Sequence, residues 1–113
     1  MEQLNRIEIR GNVGNVNILN VGQSRVAHFS VATNFAYKGR NGEPVIETTW
    51  HNVTAWEGKG IPSLDFITKG FPIYVAGRLR SQKYVSSDGT ERTSVEVLAN
   101  IVEPVDGNIS AQF

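Results

Sequence analysis

Alternation with a period of two is the feature that most constrains this chain. Between Arg6 and Arg10 the apolar Ile7 and Ile9 alternate with polar residues. Successive side chains of a strand point to opposite faces, so this is the pattern of a half-buried strand. The run Gly11-Asn12-Val13-Gly14-Asn15 bends or breaks it, and Val16 to Val21 reads as a short continuation. Val26 to Asn34 is a second strand with Ala27, Phe29 and Val31 on one side. Lys38 to Pro44 is a loop by its glycine, asparagine and proline content, and a third strand runs from about Ile46 to Trp56. Ile73 to Tyr84 is a fourth; Val95, Val97 and Ile101 carry a fifth. Ser86-Ser87-Asp88-Gly89-Thr90 supplies the hairpin between them.

The period changes only between strands three and four. Ile61, Leu64 and Ile67 or Thr68 are spaced for a short helix, with Pro62 near its start and Gly70 placed to end it. Five strands with one short helix between the third and fourth is the element order of the OB fold, an all-β, five-stranded Greek-key barrel. A barrel or sandwich of another topology gives a similar string. The barrel is expected over residues 1–103 as one domain, with 104–113 a short polar tail.

Composition removes several classes. At 113 residues the chain has one domain's worth of core. It has no cysteine, which excludes disulfides and thiolate zinc sites. His28 and His51 cannot build a metal site without carboxylates, so neither metal nor cofactor is expected. The start, MEQLNRIEIR, lacks the apolar run of a signal peptide. No stretch approaches the roughly 20 apolar residues of a membrane span. A soluble, cytoplasmic protein with no membrane partner is the expectation. Charge is even, with 11 basic and 11 acidic residues. Its distribution is not, because Phe66 to Ser87 holds Lys69, Arg78, Arg80 and Lys83 and no acid.

Strand three is the most informative about function. Alternation puts Trp50, Asn52, Thr54 and Trp56 on one face and His51, Val53 and Ala55 on the other. A core-facing tryptophan would share its side with valine, not with asparagine and threonine. The two indoles stand about 20 Å apart along a strand, a platform for stacked bases. The rival reading has one tryptophan plugging a barrel end and the other facing a partner subunit. Strand four repeats the division, with Tyr74, Ala76, Arg78, Arg80, Gln82 and Tyr84 opposite its aliphatic side. Tyr74 is the weak member and could pack elsewhere. Arginine contacts phosphate and also stacks. Tyr37, Lys38 and Arg40 sit where strand two runs into its loop, placed to fold over a bound strand. Lys59 and Lys69 bracket the helix, and Lys69, beside Gly70, serves the helix C-terminus equally well. No phosphate loop, nucleophile elbow or zinc spacing is present, and no carboxylates converge, so an enzyme is not expected.

The segments NRIEIRGNVG, VAHFSVATN, TTWHNVTAW, ITKGFPIYVAGRLRSQKY and SSDGTERTSVEVLAN, in this order and spacing, resemble the bacterial single-stranded DNA-binding protein family from about Asn5 to Val102. The resemblance implies a homo-oligomer, a tetramer of paired dimers or a dimer, that coats single-stranded DNA in replication, recombination and repair. It places the stacking aromatics at Tyr37, Trp50, Trp56 and Tyr84. The first and last are typically tryptophan in the family, and Trp56 stands where phenylalanine is common. Family basic positions fall on Arg6, Lys38, Arg40, Lys69, Arg80 and Lys83, to which the strand-four face adds Arg78. His51 falls where family subunits meet. The helix should be shorter than the family's. The tail ends NISAQF with Asp106 its only acid, so recruitment of replication or repair enzymes through an acidic tip is not expected. Two rival classes remain: an oligomeric interaction module similar to primosomal accessory proteins, and an OB-type nuclease.

Overall fold

A computed structural model describes residues 1–58 and 60–105. Five strands follow in order: β1 (Ile7–Val21), β2 (Ser24–Lys38), β3 (Pro44–Trp56), β4 (Pro72–Val85) and β5 (Glu91–Pro104). They close into a barrel in the spatial order β1-β2-β3-β5-β4, with β4 pairing back onto β1. All neighbours are antiparallel except β3 and β5, which run parallel over Val53–Ala55 and Val97–Ala99. This is the expected five-stranded OB topology.

Alternation fills the interior. Ile9 and Val13 from β1, Ala27, Phe29 and Val31 from β2, Val53 and Ala55 from β3, Ile73 and Val75 from β4, and Val97, Ala99 and Val102 from β5 form one buried cluster. The glycine-rich run in β1 bends the strand without ending it: pairing with β2 continues on both sides of a register shift between Val13 and Val16. A second bulge lies in β5, where Ala76 opposes Ile101 but Gly77 opposes Ala99. The extra residue reverses the alternation, so Val102 turns inward and Ile101 outward. Beside this bulge a Cβ on Gly77 would lie 2.1 Å from the carbonyl oxygen of Leu98, so only glycine admits the close approach.

The expected helix between β3 and β4 does not form among the described residues. Donors that a helix would send four residues back go elsewhere: the Asp65 amide donates to Ser63 Oγ at 3.1 Å, and the Gly70 amide to the Val13 carbonyl of β1 at 2.7 Å. Tight turns replace the helix, with Ile67 N bonded to the Leu64 carbonyl and Phe71 N to that of Thr68. They still deliver Ile61, Leu64 and Ile67 into the core, which is why the three-residue spacing was present. Arg25 on β2 holds the segment by reaching both Glu57 and Asp65.

β2 and β3 stay paired far beyond the barrel, to Lys38 opposite Pro44, in one unbroken register. They form a two-stranded arm that takes in Lys38 and Pro44, the ends of the expected Lys38–Pro44 loop, and leaves a turn at Gly39–Glu43 as its tip. The Ser86–Thr90 hairpin also forms, with Asp88 accepting from the Thr90 amide. The tail from residue 106 onward, including Asp106, lies outside the described residues.

Candidate nucleic-acid interface

Four side chains on four strands define one outer face of the barrel. Arg80 on β4 donates from Nε to Glu96 Oε1 of β5 at 3.0 Å and from a terminal nitrogen to the same oxygen. Glu96 Oε2 accepts from Thr54 Oγ1 of β3 at 2.6 Å, and Thr54 Oγ1 lies 3.1 Å from His28 Nδ1 of β2. A hydroxyl has one proton. Thr54 gives its proton to Glu96, so a neutral His28 must carry its own on Nδ1, and its Nε2 is left as an acceptor. Burial pushes the Glu96 carboxyl up, but the hydrogen bonds from Thr54 and Arg80 outweigh it and leave the group below its ordinary value.

Trp50 and Trp56 share the Thr54 side of β3, both exposed, at 60% and 43%. Trp50 has a built seat. A Cβ at Gly14 would lie 2.5 Å from Cζ3 of Trp50 and 2.6 Å from Ser30 Oγ, so the indole rests across β2 onto the bare backbone of the β1 bulge. Tyr84, 47% exposed, lies on the same side of β4 as Arg80, four residues along. Arg78 is exposed on that side too, opposite Leu98. Lys38, opposite Pro44 at the end of the arm, keeps the parity of the tryptophan side.

Other expected residues fall elsewhere. Tyr37 pairs with Val45, and alternation sets it on the opposite side of the arm from Trp50, whose partner is Ala32. Lys83 has the opposite parity to Arg80 and lies 3.7 Å from Glu91. Arg6 is exposed just before β1, Arg40 is exposed in the tip turn of the arm, and Lys69 is exposed in the turn before Gly70. With no helix there, Lys69 has no helix terminus to serve. His51 is half-buried on the core side of β3, its Nε2 2.9 Å from Thr33 Oγ1, and burial lowers its pKa. Tyr74 donates to Glu8 Oε1 at 2.6 Å and lies under Arg10, which explains it without a ligand.

Sequence reasoning missed Phe35. Its ring is 57% exposed and stacks on Tyr37 at a 6.3 Å centroid distance and 30°. The two-residue spacing in Asn34-Phe35-Ala36-Tyr37 carried that signal, since i and i+2 share a strand face. Glu96 was missed too, although Val95 and Val97 on either side of it place it outward.

A closed five-stranded barrel in this order, bearing exposed aromatics on a polar outer face, is an OB-type barrel. The chain belongs to the single-strand binding protein family, whose model matches residues 4–105. It is 35% identical over 107 residues to a single-stranded DNA-binding protein of Neisseria meningitidis, covering 92% of this chain and 61% of that protein. This chain thus spans about three fifths of the length of that relative. A mitochondrial single-stranded DNA-binding protein of Danio rerio is 28% identical, with 98% of this chain and 82% of the relative covered. Among solved structures, a Plasmodium falciparum SSB in complex with ssDNA superposes with a TM-score of 0.76 at 29% identity, covering 94% of this chain and 98% of that one. A Thermus aquaticus single-stranded DNA-binding protein shares the fold, with a TM-score of 0.75 at 22% identity over 92% of this chain and 51% of that one.

Proposed function

We propose that this protein coats single-stranded DNA, with little regard to base sequence, in replication, recombination and repair. It does so as a cytoplasmic, non-catalytic homo-oligomer, a tetramer or a dimer. The observation that carries this reading is the exposure of Trp50, Trp56 and Tyr84 on one outer face, with Trp50 seated on a glycine backbone. Bare aromatic area facing water gains when a base stacks on it, by about 1–3 kcal/mol per base. Arg78 and Lys38 on the same side supply phosphate contacts, and Arg6, Arg40 and Lys69 add positive charge nearby. The described residues contain no helix long and apolar enough to cross a membrane. His51, turned away from the tryptophans and half-buried, suits a subunit contact. The Phe35–Tyr37 pair on the reverse side of the arm reaches the same strand only if the DNA wraps around the arm.

Titration with oligo-dT while following tryptophan fluorescence tests the reading. Quenching that weakens as salt rises is expected. A flat trace at low salt overturns it. Light scattering on the same samples reads the oligomeric state, and a monomer at all concentrations removes His51 from an interface role.

A further inference from the structure

Beside Trp50 lies a groove of about 280 Å³, with polar lining from Asn15, His28, Ser30, Asn52, Thr54 and Glu96. That is just under the roughly 300–1,000 Å³ of drug-sized pockets, the scale of one planar ring rather than a folded chain. Ser30 lines the groove, and its Oγ and the Trp50 indole both crowd the space above Gly14, so the indole is a neighbour of the Ser30 wall. A base stacked on this ring would project its edge toward that wall.

Asn15, Asn52 and Ser30 can donate or accept, whereas Glu96 and His28 are the groups of the groove that offer acceptors alone. Glu96 is ionised and its Oε2, taking one bond from Thr54, keeps a free lone pair. Neutral His28 presents Nε2 as an acceptor, because Nδ1 holds the proton directed at Thr54. A carboxylate at this point repels the phosphate chain, and its arginine partner is already committed to it. The chemistry that fits is a neutral donor, such as the exocyclic amino group of a base.

We propose that this groove reads the edge of one stacked nucleobase and prefers an amino-bearing base, cytosine or adenine, to thymine. Cytosine brings an N4 amino group where thymine brings the O4 carbonyl, and a carbonyl facing Glu96 sets acceptor against acceptor. Acidic side chains accept from cytosine N4 in duplex readout for the same reason. The inference rests on the single-strand-binding reading and refines it, adding a local bias to an otherwise sequence-tolerant surface.

The test compares oligo-dC with oligo-dT by tryptophan quenching near pH 8. The dC-to-dT affinity ratio of the wild type should exceed that of Glu96→Gln by about fivefold or more, the lower end of one good base-edge contact. Glutamine can turn its amide N–H toward thymine O4, so the ratio falls from both sides. His28→Phe, an exposed site where folding is not at stake, should lower the ratio in the same direction. If Glu96→Gln raises affinity for both oligonucleotides equally, Glu96 is only the counter-ion of Arg80 and the proposal fails. An unchanged ratio in His28→Phe also overturns it. No binding of either oligonucleotide by the wild type would instead overturn the single-strand-binding reading itself.

Discussion

Gly14 and Trp50 act as one unit. The indole lies where any side chain at position 14 would stand, so Gly14→Ala must lift the ring off β1. The expected outcome is a shifted tryptophan emission in the free protein and weaker DNA binding, because a stacking ring works best when already held in place. Near-wild-type emission would show that the seat is not occupied in solution. Trp50→Ala removes the ring altogether and should cost about 1–3 kcal/mol of oligo-dT binding. Equal binding by variant and wild type would remove Trp50 from the interface. Both tryptophans were legible in the sequence, because alternation set them beside Asn52 and Thr54. The seat was not. Gly14 read only as part of a run that bends or breaks the strand, since its value lies in the absence of a side chain across a strand pair, and register is not visible from one strand.

At the scale of elements, the five strands were legible and their irregularities were not. A bulge moves every later residue to the other face, so Ile101 was placed with Val97 while the structure buries Val102. The helix between β3 and β4 failed for a comparable reason: its apolar spacing was right, but Ser63 and the Val13 carbonyl of β1 take the Asp65 and Gly70 amides that a helix would have used. Glu57 ties that segment to β2 through Arg25, and it predicts an acid response. Its hydrogen bond from Arg25 holds the carboxyl below the ordinary 4.5. Its stabilising share is thus complete above about pH 4.5 and is lost as the pH falls through the lower folded-state value. His51 acts in a higher window. Burial keeps its folded-state pKa below 6.5, so the unfolded chain binds that proton first and stability declines as the pH falls from about 6.5. Thermal unfolding should show a decline between pH 7 and 5 that His51→Gln removes. A further decline below pH 4.5 should become shallower in Glu57→Gln. A midpoint independent of pH down to 3.5 would contradict both assignments.

For the whole molecule, the balance of 11 bases against 11 acids decides how binding responds to salt. Non-specific electrostatic attraction to a polyanion needs free cations, and several here are engaged. Arg25 and Arg80 are held by carboxylates, and Lys83 and Arg92 lie 3.7 Å from acidic partners. If about three phosphates per protomer are neutralised, log K should fall with log salt at a slope of about −2. That is roughly a 20-fold loss between 50 and 200 mM, modest beside a strongly basic binder. The residues responsible can be separated by face. Arg78 is exposed on the side that carries Tyr84, and Arg78→Ala should make the slope shallower by about 0.7, one single-strand phosphate. Lys83 is only five residues away on the same strand but points to the other side, next to Glu91. Lys83→Ala should leave the slope unchanged, although family resemblance ranks it with the DNA contacts. The reverse pattern, a slope moved by Lys83 and not by Arg78, would mean that the strand passes over the opposite face of β4 and that the stacking surface must be redrawn around the Phe35–Tyr37 arm.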